Sequence, residues 1–205
     1  MKITSDESDR KRFVRSLFYM NDEYVDANWL KVGQSDPFFR SISWPKREPL
    51  VRILCYTLMP NHLHLLLREI KDGGISRFMQ KIGQSMTNAF NEKYGEKGSI
   101  FQGSYKGRTV HDDKQLQYTA AYIMVKNTFE LYPEGGLGGA VDDFEHAWKW
   151  AVEYPFSSLR EYACADASPV LENNLLWEML PTIGHFKDFS RDVIISGKWL
   201  DSDIE

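Results

Sequence analysis

The sequence predicts an α+β fold, in which helices pack on an antiparallel sheet. Apolar residues alternate over residues 50–59 and again over 62–67, and Pro60-Asn61 separates the two runs, which is typical of a β-hairpin. Apolar residues recur at i, i+3, i+4 and i+7 in segments on both sides of the hairpin, which is typical of amphipathic helices. The predicted order α-β-β-α-β-α therefore indicates an α+β layer fold.

Composition limits the class of protein. The chain has 205 residues, of which 42% are hydrophobic, enough to bury one substantial core. It contains no run of about 18 apolar residues and starts without the apolar stretch of a secretory signal, so we expect a cytoplasmic protein with no membrane partner. Its cysteines, Cys55 and Cys164, form neither a disulfide framework nor a zinc spacing.

Charge is distributed unevenly along the chain. The chain has 25 Lys and Arg against 29 Asp and Glu, a formal net charge of −4. Residues 68–129 carry ten basic and six acidic side chains, whereas residues 130–205 carry five and fifteen. The acidic total argues against nucleic acid as a partner, while the basic middle segment leaves room for phosphate contacts. Solvated charged faces are the simpler interpretation.

The first half of the chain contains two predicted helices before the hairpin. Ser5 or Asp6 caps the first helix, and a second short helix is predicted over residues 22–29. Residues 33–49 contain three prolines and are predicted to form a loop. The hairpin follows, with its corner at Met59-Pro60-Asn61. The first helix places its apolar residues on one face: Phe13, Val14, Leu17 and Phe18.

The second half is predicted to be mainly helical. A long helix covers residues 74–94 and Gly95 ends it, residues 99–110 form a further strand, and Asp112 caps a helix that runs to about residue 130. Residues 135–139 are a flexible break, and the remainder holds two or three short helices. We expect one domain over 1–165 and an acidic helical extension over 166–205.

Two histidines lie on the second predicted strand. His62 and His64 are two residues apart, so both side chains leave the same face of the strand, while Leu63 and Leu65 point the other way, into the core. Adjacent imidazoles can bind one divalent cation when a third ligand comes from elsewhere. The alternative is that the two histidines only cover the end of a sheet.

A tyrosine on the helix after residue 112 is the candidate nucleophile. Tyr118, Tyr122, Val125 and Phe129 form one stripe, which as an aromatic stripe is typical of core packing. Tyr122 can instead aim its hydroxyl at the group that the histidines hold. A tyrosine that attacks a phosphate forms a covalent phosphotyrosine, and a metal on the phosphate assists the attack.

The run YTLMPNHLHLLL, residues 56–67, resembles the His-hydrophobe-His signature of the single-tyrosine HUH transposases. Within that family it is most similar to the REP-associated tyrosine transposase branch. The downstream order agrees: residues 99–110, an aspartate-capped helix, the pair Tyr122-Ile123, and the segment YPFSSLREY. The resemblance covers about residues 5–162.

The resemblance implies a ferredoxin-like antiparallel sheet that binds single-stranded or hairpin DNA. His62 and His64 match the family's ligands for Mg²⁺ or Mn²⁺, and Tyr122 matches its nucleophile. In this family the tyrosine attacks the scissile phosphate and leaves a 5′-phosphotyrosine and a free 3′-OH. The resemblance therefore implies a transposase that acts as a metal-dependent endonuclease and strand transferase, either as a monomer or as a homodimer.

The chain departs from the family pattern at two places. Lys126 stands where the family has Asn or Gln four residues after the nucleophile, and Asn127 follows about 100° further round an α-helix. Either Asn127 is the third metal ligand or the metal site is weakened. The chain also has only Met1 to Thr4 where the family opens with a strand.

Basic side chains of the middle segment are the candidate DNA contacts, and Tyr105 is a candidate for base stacking. Two alternatives remain beside the transposase. The first is a non-catalytic relative that binds DNA hairpins. The second is a histidine-triad nucleotide hydrolase, whose third histidine is Leu66 here. The candidate DNA contacts are Arg68, Arg77, Lys81, Lys106 and Arg108.

Overall fold

The computed structural model describes residues 3–31, 36–172, 174–180 and 182–197. The chain divides into two compact units. Unit 1 comprises Met1–Arg52 and Leu67–Tyr105, and unit 2 comprises Ile53–Leu66 and Lys106–Glu205. The helices within the described ranges include none that is long and apolar enough to cross a membrane.

The hairpin has the predicted position. Strand β1 (Val51–Leu58) pairs with β2 (Leu63–Glu69) in an antiparallel sheet. The main-chain N–H of Met59 donates to the carbonyl of His62 at 2.9 Å, which closes the corner at Pro60 and Asn61. The second strand therefore begins at Leu63, one residue later than the alternation predicts. The α+β class is confirmed.

The further strand predicted over residues 99–110 is wrong. Residues 102–109 are exposed and form bends and irregular loop, so they offer no buried face that a sheet could cover. A short segment of the YPFSS run pairs with β1 instead. Leu58 donates its N–H to Phe156 at 2.9 Å, and Ser158 donates to Tyr56 at 3.0 Å, around an antiparallel bridge between Thr57 and Ser157.

Two helices of unit 1 match the prediction closely. Helix α1 (Glu7–Tyr19) is capped by Asp6, whose carboxylate accepts the N–H of Asp9 at 3.0 Å. Helix α2 (Gly74–Tyr94) ends at Gly95, whose φ of +69° is the left-handed conformation that glycine adopts without strain.

The short helix predicted over residues 22–29 is wrong. Asp22 accepts the N–H of Tyr24 at 3.3 Å, and Asp26 accepts the N–H of Asn28 at 2.7 Å. These aspartate side chains bind the main-chain groups that a helix would need, so the segment forms turns. Residues 36–49 form turns and irregular loop, as predicted for that part of residues 33–49.

Unit 2 is mainly helical. Helix α3 (Asp113–Ala121) continues through a π-helical turn (Tyr122–Lys126) into α4 (Asn127–Phe129). Asp112 caps α3 by accepting the N–H of Gln115 at 2.7 Å, as predicted. The helices that follow are α5 (Gly136–Asp142), α6 (Phe144–Glu153), α7 (Leu159–Ala163), α8 (Asn174–Met179) and α9 (Ile183–Ser196).

The glycine-rich segment at 135–139 is not a flexible break, because most of it lies in α5. A Cβ atom at Gly139 would lie 1.7 Å from the carbonyl oxygen of Glu134, so the main chain passes too close for any other residue. Glycine at this position permits a close approach between two stretches of main chain.

The C-terminal helices contribute to the core of unit 2. Leu176 of α8 and Phe186 and Ile194 of α9 are buried in the same apolar cluster as Tyr122 and Leu66. Short helices are confirmed for this part of the chain, but the described residues after 139 contain four of them, α6 to α9, instead of the two or three predicted. The predicted boundary between 1–165 and 166–205 stays a prediction.

Candidate active site

His62 directly precedes β2 and His64 is the second residue of the strand, and the two rings are close together. The ring centroids of His62 and His64 are 4.8 Å apart, with the ring planes nearly perpendicular at 83°. Nδ1 of His62 lies 2.7 Å from Oδ1 of Asn61. In the tautomer that carries its proton on Nδ1, His62 donates to Asn61, and Nε2 keeps a free lone pair.

The histidine side of β2 faces the helical segment that carries Tyr122. The ring of His64 lies 5.7 Å from that of Tyr122, and Leu66, on the same side of the strand, is only 6% exposed. Leu63 and Leu65 are partly exposed, so the prediction that these two leucines point into the core is wrong. The reason is tertiary: the chain of α3 and the π turn covers the histidine side.

Both imidazoles are held in their neutral form. Burial lowers the pKa of His64 to about 4, and the nearby charges of His62 and Lys126 act in the same direction. Burial likewise lowers the pKa of His62, although the carboxylate of Glu130 opposes this. A neutral imidazole is the form that binds a metal or accepts a proton, so the pair is ready for either role near neutral pH.

The π turn changes the alignment of the residues after Tyr122. The N–H of Asn127 donates to the carbonyl of Tyr122, which is an i to i+5 hydrogen bond. Relative to Tyr122, Asn127 therefore takes the place that the fourth following residue has in an α-helix. The turn absorbs one extra residue between the tyrosine and the asparagine, and such turns are frequent at functional sites.

Hydroxyl groups from the sheet hold the π turn. The hydroxyl of Thr57 on β1 donates to the carbonyl of Ile123 at 2.6 Å and lies 3.0 Å from the hydroxyl of Ser157. Ser157 also lies 3.4 Å from the carbonyl of Met124. A π turn disrupts the regular main-chain ladder, so buried carbonyls in it need other donors. Thr57 and Ser157 supply them and thereby fix Tyr122 relative to β1.

Lys126 places a positive charge beside the candidate nucleophile. Its Nζ lies 4.7 Å from the centroid of the Tyr122 ring and forms an ion pair with Glu130. Burial acts to lower the pKa of Lys126, but the hydrogen bond and charge of Glu130 outweigh it and raise that pKa. Lys126 is therefore an ammonium ion and does not ligate a metal.

Asn127, the predicted third ligand, has a buried side chain with an amide nitrogen that is unpaired among the described residues. Its side chain is 1% exposed, and its Nδ2 atom has no hydrogen-bond partner within the described part of the chain. Oxygen and nitrogen of an amide exchange places by a simple flip. In the described ranges no His, Cys, Asp or Glu completes a three-residue metal cluster with the histidine pair. Imidazole nitrogen and amide oxygen are both ligand types that divalent cations accept, and Asn127 as the third ligand of the histidine pair stays a prediction.

The structure distinguishes the two tyrosines of the predicted stripe. The ring of Tyr118 packs against Phe189 of α9 at 5.1 Å, edge to face. The ring of Tyr122 instead contacts His64, and its side chain is 6% exposed. Of these two tyrosines, Tyr122 is the one next to the histidine pair.

The basic residues predicted to contact DNA differ in what they already bind. In unit 1, Arg77 forms an ion pair with Glu23 at 2.9 Å, and Lys81 donates to the main-chain carbonyl of Glu23 at 3.1 Å. Arg68 in unit 1 and Lys106 and Arg108 in unit 2 are exposed. The DNA contacts stay predictions, and the internal bonds of Arg77 and Lys81 would have to break before these side chains could bind phosphate.

The Tyr105 side chain is 45% exposed, and its hydroxyl lies 3.1 Å from that of Ser76. Its stacking role is untested.

The histidine hairpin and the tyrosine helix lie in a part of the chain that has known relatives. Residues 40–126 match the family model described as Transposase IS200 like. The matched segment contains His62, His64 and Tyr122, and it ends at Lys126. The match covers less than half of the chain, and it does not separate the REP-associated branch from other branches. No curated protein and no solved structure matches the chain significantly.

Three features of this site were not found from the sequence. The roles of Thr57 and Ser157 depend on residues 66 and 33 positions away in the chain, so no local pattern indicates them. The π turn also has no composition signal of its own. The ion pair between Lys126 and Glu130 does have a signal, since their i, i+4 spacing favours pairing on a helix.

Proposed function

We propose that this chain is a transposase that cuts a single strand of DNA through attack by Tyr122 and then joins the cut end to another strand. The observation that carries the proposal is the contact between the Tyr122 ring and His64, next to His62. It lies in the segment that matches the transposase family. A tyrosine beside two neutral imidazoles is an arrangement suited to phosphoryl transfer.

The proposed cleavage is a single displacement at phosphorus. The hydroxyl oxygen of Tyr122 forms a bond to the scissile phosphorus, and the phenolic proton leaves to solvent. The bond from phosphorus to the 3′ oxygen breaks, and that oxygen takes a proton to become a 3′-OH. The products are a 5′-phosphotyrosine and a free 3′-OH. Attack of a 3′-OH on the phosphotyrosine reverses these changes, which joins DNA strands without another energy source.

The residues of the site have separate parts in this proposal. His62, His64 and Asn127 would hold Mg²⁺ or Mn²⁺, which when bound polarises the phosphate and stabilises the leaving oxygen. The neutral state of both histidines supports this role, because only a neutral imidazole binds a metal. The hydroxyls of Thr57 and Ser157 keep the π turn, and with it the Tyr122 ring, in one position. Fixed geometry of this kind favours in-line attack.

Single-stranded or hairpin DNA is the proposed substrate. A phosphodiester inside a regular duplex is harder to align with a nucleophile that is only 6% exposed than one in a flexible single strand. The exposed cations Lys106 and Arg108 belong to the same unit as Tyr122, and they would contact the phosphates of the bound strand.

A covalent adduct tests the proposal. The protein is incubated with a labelled single-stranded hairpin and Mn²⁺, and a denaturing gel is run to detect DNA bound to protein. The unmodified chain should form the adduct, and Tyr122→Phe should not, because only the hydroxyl is lost. Tyr118→Phe is the matched control and should retain the adduct. An adduct that persists in Tyr122→Phe and disappears in Tyr118→Phe would refute the assignment of the nucleophile.

A non-catalytic relative that binds DNA hairpins is the second candidate function. Lys126 favours it, because an ammonium ion beside the histidine pair repels a divalent cation. The same gel separates the two candidates, since a binder retains DNA in a native gel and forms no adduct under denaturing conditions. The histidine-triad hydrolase gains no support, because Leu66 occupies the position of its third histidine and is buried.

A further inference from the structure

We propose that Lys126 binds the scissile phosphate directly and that Glu130 occupies its ammonium group until DNA displaces it. The inference rests on the proposed function, because it assigns a second cation to the phosphate that Tyr122 attacks. The proposal explains why a lysine stands at residue 126, where the family pattern has Asn or Gln. Neither residue is among the metal ligands or the DNA contacts considered above.

The position of Lys126 is the first argument. Its Nζ lies 4.7 Å from the centroid of the Tyr122 ring, and its side chain is 14% exposed. A phosphate approached by the hydroxyl of Tyr122 therefore comes within reach of the same ammonium group. An ammonium ion is a strong donor to phosphate oxygens, and it gains strength where water is largely excluded.

The partner of Lys126 is the second argument. Glu130 binds the ammonium through a carboxylate oxygen, and its own side chain is 35% exposed. A carboxylate and a phosphate oxygen present the same kind of acceptor to an ammonium ion. Glu130 can therefore turn towards solvent when a phosphate replaces it, whereas the more buried lysine stays beside Tyr122. In the DNA-free protein the carboxylate also lowers the cost of keeping a charged lysine in a largely buried position.

The third argument is electrostatic. Lys126 carries a positive charge and Glu130 a negative one, and their ion pair lies beside the Tyr122 ring, which in turn contacts His64. When a phosphate displaces Glu130, the negative charge beside Lys126 moves from the carboxylate to the substrate. The phosphate of the DNA then neutralises the positive charge of Lys126, as the carboxylate of Glu130 does in the DNA-free protein.

Opposite effects of two single substitutions test the proposal. All variants are made in a Tyr122→Phe background, so that no cleavage occurs, and the affinity for a fluorescein-labelled single-stranded oligonucleotide is measured by anisotropy in EDTA. Lys126→Gln should weaken binding about tenfold and lower the salt slope by about one, because one phosphate contact is lost. Glu130→Gln should tighten binding about threefold, because the phosphate no longer competes with a carboxylate.

The controls separate this role from a structural one. Lys114→Gln is matched, because Lys114 also lies over a tyrosine ring of the same helix, with its Nζ 5.9 Å from the centroid of Tyr118. It should leave the affinity unchanged. In the double variant Lys126→Gln/Glu130→Gln, the gain from Glu130→Gln should disappear.

Several outcomes would overturn the proposal. A stabilising ion pair without a phosphate role predicts that both single variants weaken binding or leave it unchanged. A loss with Lys114→Gln equal to that with Lys126→Gln would show a general effect of surface charge. The adduct assay on the chain with Tyr122 intact is independent of these affinities, so failure of the nucleophile assignment and failure of the Lys126 assignment are distinguishable.

Discussion

Thr57→Val tests whether the sheet holds the π turn that carries Tyr122. Valine has nearly the same shape as threonine, so the substitution removes the hydroxyl without creating a cavity. The carbonyl of Ile123 loses a donor at 2.6 Å, and the hydroxyl of Ser157 loses a neighbour at 3.0 Å. Both residues are almost fully buried, so water cannot replace the lost bonds.

The cost follows from leaving a buried carbonyl unsatisfied. Such a loss destabilises a protein by about 1–3 kcal/mol. Ser157 still has the carbonyl of Met124 at 3.4 Å, so its part of the loss is incomplete. We expect Thr57→Val to lower the free energy of unfolding by about 2 kcal/mol. We also expect a slower formation of the phosphotyrosine adduct, because the π turn would relax away from β1.

Urea denaturation followed by circular dichroism measures the first effect, and the rate of adduct formation measures the second. Thr57→Ser is the matched control, because it keeps the hydroxyl and loses only a methyl group. It should form the adduct at nearly the normal rate even where it loses some stability. If Thr57→Val forms the adduct as fast as Thr57→Ser and unfolds at the same urea concentration as the unmodified chain, the hydroxyl does not position the turn.

Two further predictions concern the histidine pair. The pKa of His64 in the folded chain is about 4, lowered chiefly by burial, while its ordinary value is 6.5, so between these pH values the unfolded chain binds the extra proton. The free energy of unfolding should therefore fall as the pH falls from about 6.5 to about 4, by up to about 3 kcal/mol, and His64→Gln should reduce this loss. Equal losses in both chains, measured by urea denaturation at several pH values, would contradict the assigned cause. Mn²⁺ should broaden the NMR signals of the His62 and His64 rings, and an unchanged metal titration in His62→Ala/His64→Ala would show that the metal binds elsewhere.

Local patterns in the sequence were sufficient for most helices and for the hairpin. The period of apolar residues, the cap at Asp6 and the stop at Gly95 act within one element, so the sequence near each of them contains the whole signal. The two-residue spacing of His62 and His64 likewise determines that their side chains share a face of the chain. His62 directly precedes β2 and His64 lies in it, and their ring centroids are 4.8 Å apart.

Tertiary contacts decided which side of β2 is buried and how β1 is completed. Alternation gives two faces but does not say which one a helix will cover, and here the helix covers the histidine face. The segment that pairs with β1 comes from residues 156–158, about a hundred positions later in the chain. Only burial and hydrogen bonding in the folded chain select such a distant partner, which is why the strand predicted nearer in sequence was wrong.

The alignment of the helical segment that carries Tyr122 also required the tertiary structure. On a regular α-helix, Asn127 would lie on a different side from Tyr122. Lys126 would then occupy the position of the family's Asn or Gln, and the substitution would have no explanation. The π turn shifts Asn127 by one residue and keeps Lys126 beside Tyr122. The turn is held by hydroxyl groups from β1 and from Ser157, which replace main-chain bonds that the helix gives up. The sequence by itself therefore determined which chemical groups the site contains, namely two imidazoles and one phenol. Their alignment was decided by buried hydrogen bonds between residues far apart in the chain.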